Sequence, residues 1–190
     1  MRRRQFFSGL AAMVVPLSGC TAPVTSSPTP LSDPEAGEMR SQPSLVYRLD
    51  DERLVEFSAT TVDTAADTSS NNMAPFDVYV GRGDRVAFDS VRYAFTTSSP
   101  GMHPRVYVRK MGTTEFPPFT FVEDGHSNAT ILRIDEFDET DFAQFPMHFL
   151  LADDELPTEL TVAARIVVTE RDGGRRYVAE PTATVELAEQ

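Results

Sequence analysis

From Leu45 onward, apolar and polar positions alternate with a period close to two. Val106 and Val108 fall on one side, Arg105, Tyr107 and Arg109 on the other. Leu160, Val162, Ala164, Ile166 and Val168 alternate with Thr161, Ala163, Arg165, Val167 and Thr169. Phe145, Met147, Phe149 and Leu151 alternate with Pro146, His148 and Leu150. In a strand, successive side chains point to opposite faces, so these runs predict half-buried β-strands. Between Val86 and Phe95 the parity slips: Val86 and Phe88 share one phase, Val91, Tyr93 and Phe95 the other. One extra residue accounts for the slip, which predicts a bulge near Asp89-Ser90.

Turn chemistry separates the runs. Asp172-Gly173-Gly174 lies between the 160–169 run and Arg175–Ala179, a hairpin signal. Gly81-Arg82-Gly83-Asp84 divides Phe76–Val80 from the next strand, and its glycines are read as turn formers at positive φ. Asp124-Gly125-His126-Ser127-Asn128 precedes Thr130–Ile134. Thr64–Ala74 reads as a polar loop, and Asp135–Gln144 as holding one short turn. Pro181 interrupts the last strand and predicts an edge or a bend, because proline cannot donate to a ladder. Sustained helical periodicity is absent. About eight or nine short strands over residues 45–190 predict an all-β fold, an antiparallel, immunoglobulin-like β-sandwich.

Ahead of this pattern, residues 1–44 divide in two. Arg2-Arg3-Arg4 is a positive start, and Phe6–Leu17 is a weakly apolar run broken by Gly9 and Pro16, too short to span a bilayer. It ends in Leu17-Ser18-Gly19-Cys20, small residues before the chain's single cysteine. These four residues resemble a lipoprotein lipobox. Arg3-Arg4-Gln5-Phe6-Phe7 resembles the twin-arginine export motif, a pair of arginines before an apolar couple. The resemblance covers about the first tenth of the chain. It implies a twin-arginine-exported lipoprotein of haloarchaeal type, cut after Gly19 and anchored by lipid on Cys20 to the outer face of the cytoplasmic membrane. A lone cysteine permits no internal disulfide, and lipidation would account for it. Thr21–Ser44 has prolines at 23, 28, 30, 34 and 43 and few large apolar residues, so it is expected to be a disordered spacer. The domains expected are therefore 1–19 signal, 20–44 linker and 45–190 sandwich.

Charge sharpens the picture. The 190 residues hold 29 Asp and Glu against 17 Lys and Arg, a net −12. Three of the bases and none of the acids lie in residues 1–19, so the remainder carries fourteen bases and −15. Nucleic-acid binding needs a basic face and is not expected. Lys110 is the only lysine. High acid content with almost no lysine resembles proteins of salt-loving archaea, whose crowded charge is screened by salt.

Candidate chemistry is sparse. His103, His126 and His148 share no short ligand spacing, and Glu123-Asp124-Gly125-His126 reads as a solvated acidic turn. Asp135-Glu136 with Asp138-Glu139 and Asp141, and Asp153-Asp154-Glu155, lack calcium-loop spacing and read as solvated faces. No catalytic residue, metal site or cofactor is assigned. Arg82-Gly83-Asp84 copies an integrin-recognition tripeptide but is read as a turn. Asn128-Ala129-Thr130 is an N-glycosylation sequon at a turn. Phe116-Pro117-Pro118-Phe119 with Phe121 reads either as an interaction ridge or, more simply, as a plug on the core.

The function expected is a lipid-anchored cell-surface sandwich acting as a binding or envelope-structural module, with a protein or glycan partner. Two competing readings are an envelope hydrolase or metal-dependent enzyme with a loop-borne site, and a transporter-associated solute-binding lipoprotein. The last conflicts with the chain's length and want of helices.

Overall fold

The computed structural model describes residues 27–39, 42–62, 73–98, 103–109, 116–124, 128–137, 140–150 and 159–187. Thirteen strands run through them. In chain order they are β1 (Thr29–Pro30), β2 (Glu35–Met39), β3 (Gln42–Leu49), β4 (Glu52–Thr61), β5 (Met73–Arg82), β6 (Val86–Thr97) and β7 (Val106–Val108). There follow β8 (Thr120–Asp124), β9 (Ala129–Ile134), β10 (Phe142–Leu150), β11 (Glu159–Glu170), β12 (Arg176–Ala179) and β13 (Thr182–Glu186).

They form two sheets. One has the order β2-β3-β4-β5-β10-β7; the other has the order β1-β12-β11-β6-β9-β8, with β13 sharing the edge of β11 with β12. Every pairing is antiparallel except β1 with β12. The chain crosses between the sheets six times, from β1 to β2, β5 to β6, β6 to β7, β7 to β8, β9 to β10 and β10 to β11, the repeated crossing of an immunoglobulin-like sandwich.

The alternation seen in the sequence is the alternation of burial. Phe145, Met147 and Phe149 on β10, Phe57 on β4 and Phe76 and Val78 on β5 face Val91, Tyr93 and Phe95 on β6 and Leu160, Val162 and Ile166 on β11. Aromatic rings knit the layers: Phe76 meets Phe95 edge-on at 6.0 Å, and Tyr93 meets Phe145 at 6.2 Å. Each such side chain contributes about 1.5–3 kcal/mol by leaving water. Burial pushes the Tyr93 hydroxyl pKa well up, since its ionised form would sit in the apolar layer.

Several turn and bend expectations hold. Ser90 pairs with Val167 and Phe88 with Val168, so Asp89 is the extra residue of the bulge. Gly174 takes φ 63° in the β11–β12 hairpin, and Glu170 N–H donates to the Arg175 carbonyl at 2.8 Å. Burial works against the Glu170 carboxylate, but the Tyr177 hydroxyl at 3.0 Å and the Arg85 guanidinium at 2.5 Å hold its pKa below the ordinary value. Pro181 does split the last strand: β12 and β13 lie on the same edge of β11, and the Pro181 carbonyl accepts from Ala164 N–H at 2.8 Å.

Other expectations are corrected. Among the described residues, the stretch expected to hold eight or nine strands holds eleven, β3 to β13. The spacer does not reach Ser44, because β1, β2 and the start of β3 lie within it. Ladder hydrogen bonds order this polar, proline-bearing stretch: Pro30 sits on an outermost strand, and Glu35–Met39 pair with Gln42–Val46. Leu31 N–H donates to the Val178 carbonyl, and its side chain packs against the core. Gly81 and Gly83 do not have positive φ. Gly83 is required by crowding instead, since a Cβ there would lie 1.9 Å from the Arg53 carbonyl oxygen. Within Asp135–Gln144 strand begins at Phe142, and residues 138–139, inside the expected turn, lie outside the described residues.

Candidate functional site

The two sheets end together on one side in short strands, three-residue β7 and five-residue β8. Neither edge is paired further among the described residues, and a cleft of about 1020 Å³ opens between them. Its walls are chiefly apolar: Val106 and Val108 from β7, Phe149 from β10, and Phe119, Phe121 and Val122 at and before β8. At its floor Phe116 stacks on Phe145 at 5.5 Å, and Phe119 meets the same ring edge-on at 6.0 Å. The Thr130 hydroxyl donates to the Pro104 carbonyl at 2.5 Å, tying β9 to the segment that leads into β7.

Apolar exposure concentrates here. The exposed large hydrophobic residues among those described are Tyr107 at 49%, Phe121 at 40%, Val122 at 46% and Phe142 at 46%. The first three line the cleft, whereas Phe142 stacks on Tyr79. Clustered apolar exposure beside unpaired strand edges is the usual mark of a contact surface. The rim is polar. Arg105 and Glu123 flank the opening, and the Nδ1 of His103 is buried in its wall with no hydrogen-bond partner.

A second groove, of about 520 Å³, lies on the other side between β3, β4 and β13. Its lining is rich in hydroxyls, among them Ser58, Thr60, Thr182 and Thr184. The Ser58 hydroxyl is already engaged, donating to the Pro43 carbonyl at 2.7 Å. No exposed large apolar residue marks this groove among those described.

The residues singled out from the sequence fall as follows. Arg3, Arg4, Phe6, Phe7, Leu17, Ser18, Gly19 and Cys20 lie outside the described residues, as do His126, Lys110 and Asp153-Asp154-Glu155. Asn128 is exposed in a turn at φ 50°, a left-handed conformation that asparagine tolerates. His103 belongs to the cleft wall, while His148 stands on β10 with Nδ1 3.4 Å from the Met73 sulfur. No group of three or more His, Cys, Asp or Glu able to hold a metal occurs among the described residues. Asp135 pairs with Arg133, and Asp141 with Arg82.

Arg82 is not displayed. It is buried, and its guanidinium donates to the carbonyls of Thr140, Gly83 and Val86 and pairs with Asp141 at 2.5 Å. The plug reading of the aromatic segment holds for part of it. Phe116 and Phe119 plug the core, and Phe121 continues outward as a cleft wall. Tyr107 and Val122 were not singled out for the site; their only sequence signal was alternation, which ranks no strand as an edge.

The connectivity and the layered core define the class: an immunoglobulin-type β-sandwich. The chain belongs to the family described as Domain of unknown function (DUF8121), matched over residues 29–189. The match starts at β1, in agreement with the strand pairing. No curated protein matches. Among solved structures, the major pilin SpaD of Corynebacterium diphtheriae is similar at 12% identity and TM-score 0.44, over 70% of this chain and 34% of that one. The collagen-binding subdomain ACE19 of the Enterococcus faecalis surface protein ACE is similar at 9% identity and TM-score 0.41, over 68% of this chain and 95% of that one. The chain thus spans about a third of the pilin's length, and scores of this size leave the fold to rest on the chain's own topology.

Proposed function

We propose that this protein is an exported lipoprotein, held by lipid on Cys20 to the outer face of the cytoplasmic membrane, whose sandwich is a binding or envelope-structural module. The β7–β8 cleft is its contact surface. The observation that carries the binding role is the coincidence of clustered apolar exposure with two unpaired strand edges. A purely structural sandwich gains nothing from leaving Tyr107, Phe121 and Val122 wet.

The anchor rests on Leu17-Ser18-Gly19-Cys20 and the export route on Arg3-Arg4 with Phe6-Phe7. With pairing beginning at Thr29, only Thr21–Pro28 separates the anchor from the domain. At about 3.1 Å per extended residue, the sandwich is held within roughly 25 Å of its anchor point. A partner in this reading is a protein or glycan of the cell surface.

Fractionating cells that express the Cys20→Ala chain tests the anchor. The variant should leave the membrane pellet and appear in the soluble fraction. A variant that still sediments with membranes at the wild-type level would exclude a lipid on Cys20.

A further inference from the structure

We infer that the cleft takes an extended peptide strand of a partner protein, added to the free edge of β7, with carboxylates set to meet Arg105 and Arg109. The inference rests on the cleft being the contact surface, and names what fills it.

The backbone sets the geometry. Arg109 N–H donates to the Pro146 carbonyl at 2.7 Å, and Leu150 N–H donates to the Arg105 carbonyl at 2.9 Å. Antiparallel bonds recur at every second residue, so Arg105, Tyr107 and Arg109 turn their peptide groups toward β10. The N–H and carbonyl groups of Val106 and Val108 therefore point off the sheet, where the sequence of strands ends. Such a row of unpaired groups is a template for one more strand.

The side chains set the chemistry. Residues opposite one another in a ladder point to the same face. An added strand would place its residues opposite Val106 and Val108 into the cleft, beside Phe121 and Phe149. Its residues opposite Arg105 and Arg109 would face outward with those cations. The Arg105 side chain has no ion-pair or hydrogen-bond partner among the described residues. In a chain carrying −15 beyond residue 19, two arginines bracketing one edge strand are a local reversal of sign. They favour acid-apolar-any-apolar-acid on the incoming strand and disfavour a basic one.

The test uses the full chain, extracted from its membrane in mild detergent, and a labelled synthetic nonapeptide. The probe has glutamate at its third and seventh positions, valine at its fourth and sixth, and threonine elsewhere. It should bind saturably and slow hydrogen exchange at the Val106 and Val108 amides. Arg105→Glu should weaken binding roughly tenfold, as should lysine in place of the probe's glutamates. Phe121→Ser, a change at an exposed position, should also weaken it while leaving the circular dichroism unchanged. Equal binding of the glutamate and lysine probes, or exchange unchanged at Val106 and Val108, would overturn the inference. If the probe fails to bind but the protein self-associates, or binds glycans, in a manner lost in Phe121→Ser, the strand is wrong and the cleft stands. If Phe121→Ser alters none of these, the cleft itself is not the contact surface.

Discussion

Arg82 shows how one side chain can resemble a recognition motif and serve as a fastener. Its guanidinium is buried at the β5–β6 corner and donates to three carbonyls, of which Gly83 also accepts from the Val86 N–H. Each buried carbonyl left without a donor costs about 1–3 kcal/mol. Arg82→Ala should therefore destabilise the domain by about 2–4 kcal/mol, measured by denaturant unfolding. A displayed arginine would give the opposite pattern, with stability unchanged. At this scale the sequence was partly readable. Arg82-Gly83-Asp84 was seen as a turn, but the reason for Gly83 was a carbonyl arriving from Arg53, 30 positions earlier, which no local pattern records.

The elements divide by whether their signal is local. β6, β10 and β11 are long and show clear alternation, and the slip in β6 located the bulge to Asp89-Ser90, of which the structure makes Asp89 the extra residue. Removing Asp89 would restore a straight ladder and put Val86 and Phe88 in one phase with Val91, Tyr93 and Phe95, because the deleted residue is the one that breaks the alternation. The deletion should therefore leave the near-ultraviolet circular dichroism native, and loss of that signal would show that the extra residue is itself required. Asp89→Ala loses only the part-exposed pair with Arg176 at 2.8 Å, and should cost about 1 kcal/mol or less. β1 and β2 gave no such signal. They are two and five residues long, mostly exposed, and depend on partners at Tyr177–Val178 and Gln42–Val46. A segment whose order comes from a neighbour's edge reads as spacer when taken alone. The cleft was hidden for the same reason: Val106-Tyr107-Val108 announces a strand, and only the sheet order reveals that it is the last one.

For the whole molecule the governing quantity is charge. The core is one apolar cluster shared by the two sheets, while residues 20–190 carry −15. Part of this is paired in the structure, as with Arg48–Glu35 at 2.9 Å, but 29 acids against fourteen bases cannot each have a base of their own. Self-repulsion acts over about 10 Å at 0.1 M salt and about 3 Å at 1 M. The thermal midpoint should therefore rise over that range of sodium chloride, and rise equally with potassium chloride. A midpoint independent of salt would show that the acid excess does not govern stability.

The edge position of β1 has a mechanical consequence for a chain held at Cys20. β1 and β8 are the two ends of one sheet, five inter-strand steps or about 24 Å apart, so the leash attaches on the side away from the cleft. A pull on the leash loads the two-residue β1–β12 pair and the Leu31 contact first, then the β2–β3 hairpin. Peeling β1 and β2 would extend the leash from eight residues to twenty-one, from about 25 Å to about 65 Å, while β3 onward stayed folded. The N-terminal strands are thus a reel: under tension the domain pays out line before it surrenders its core.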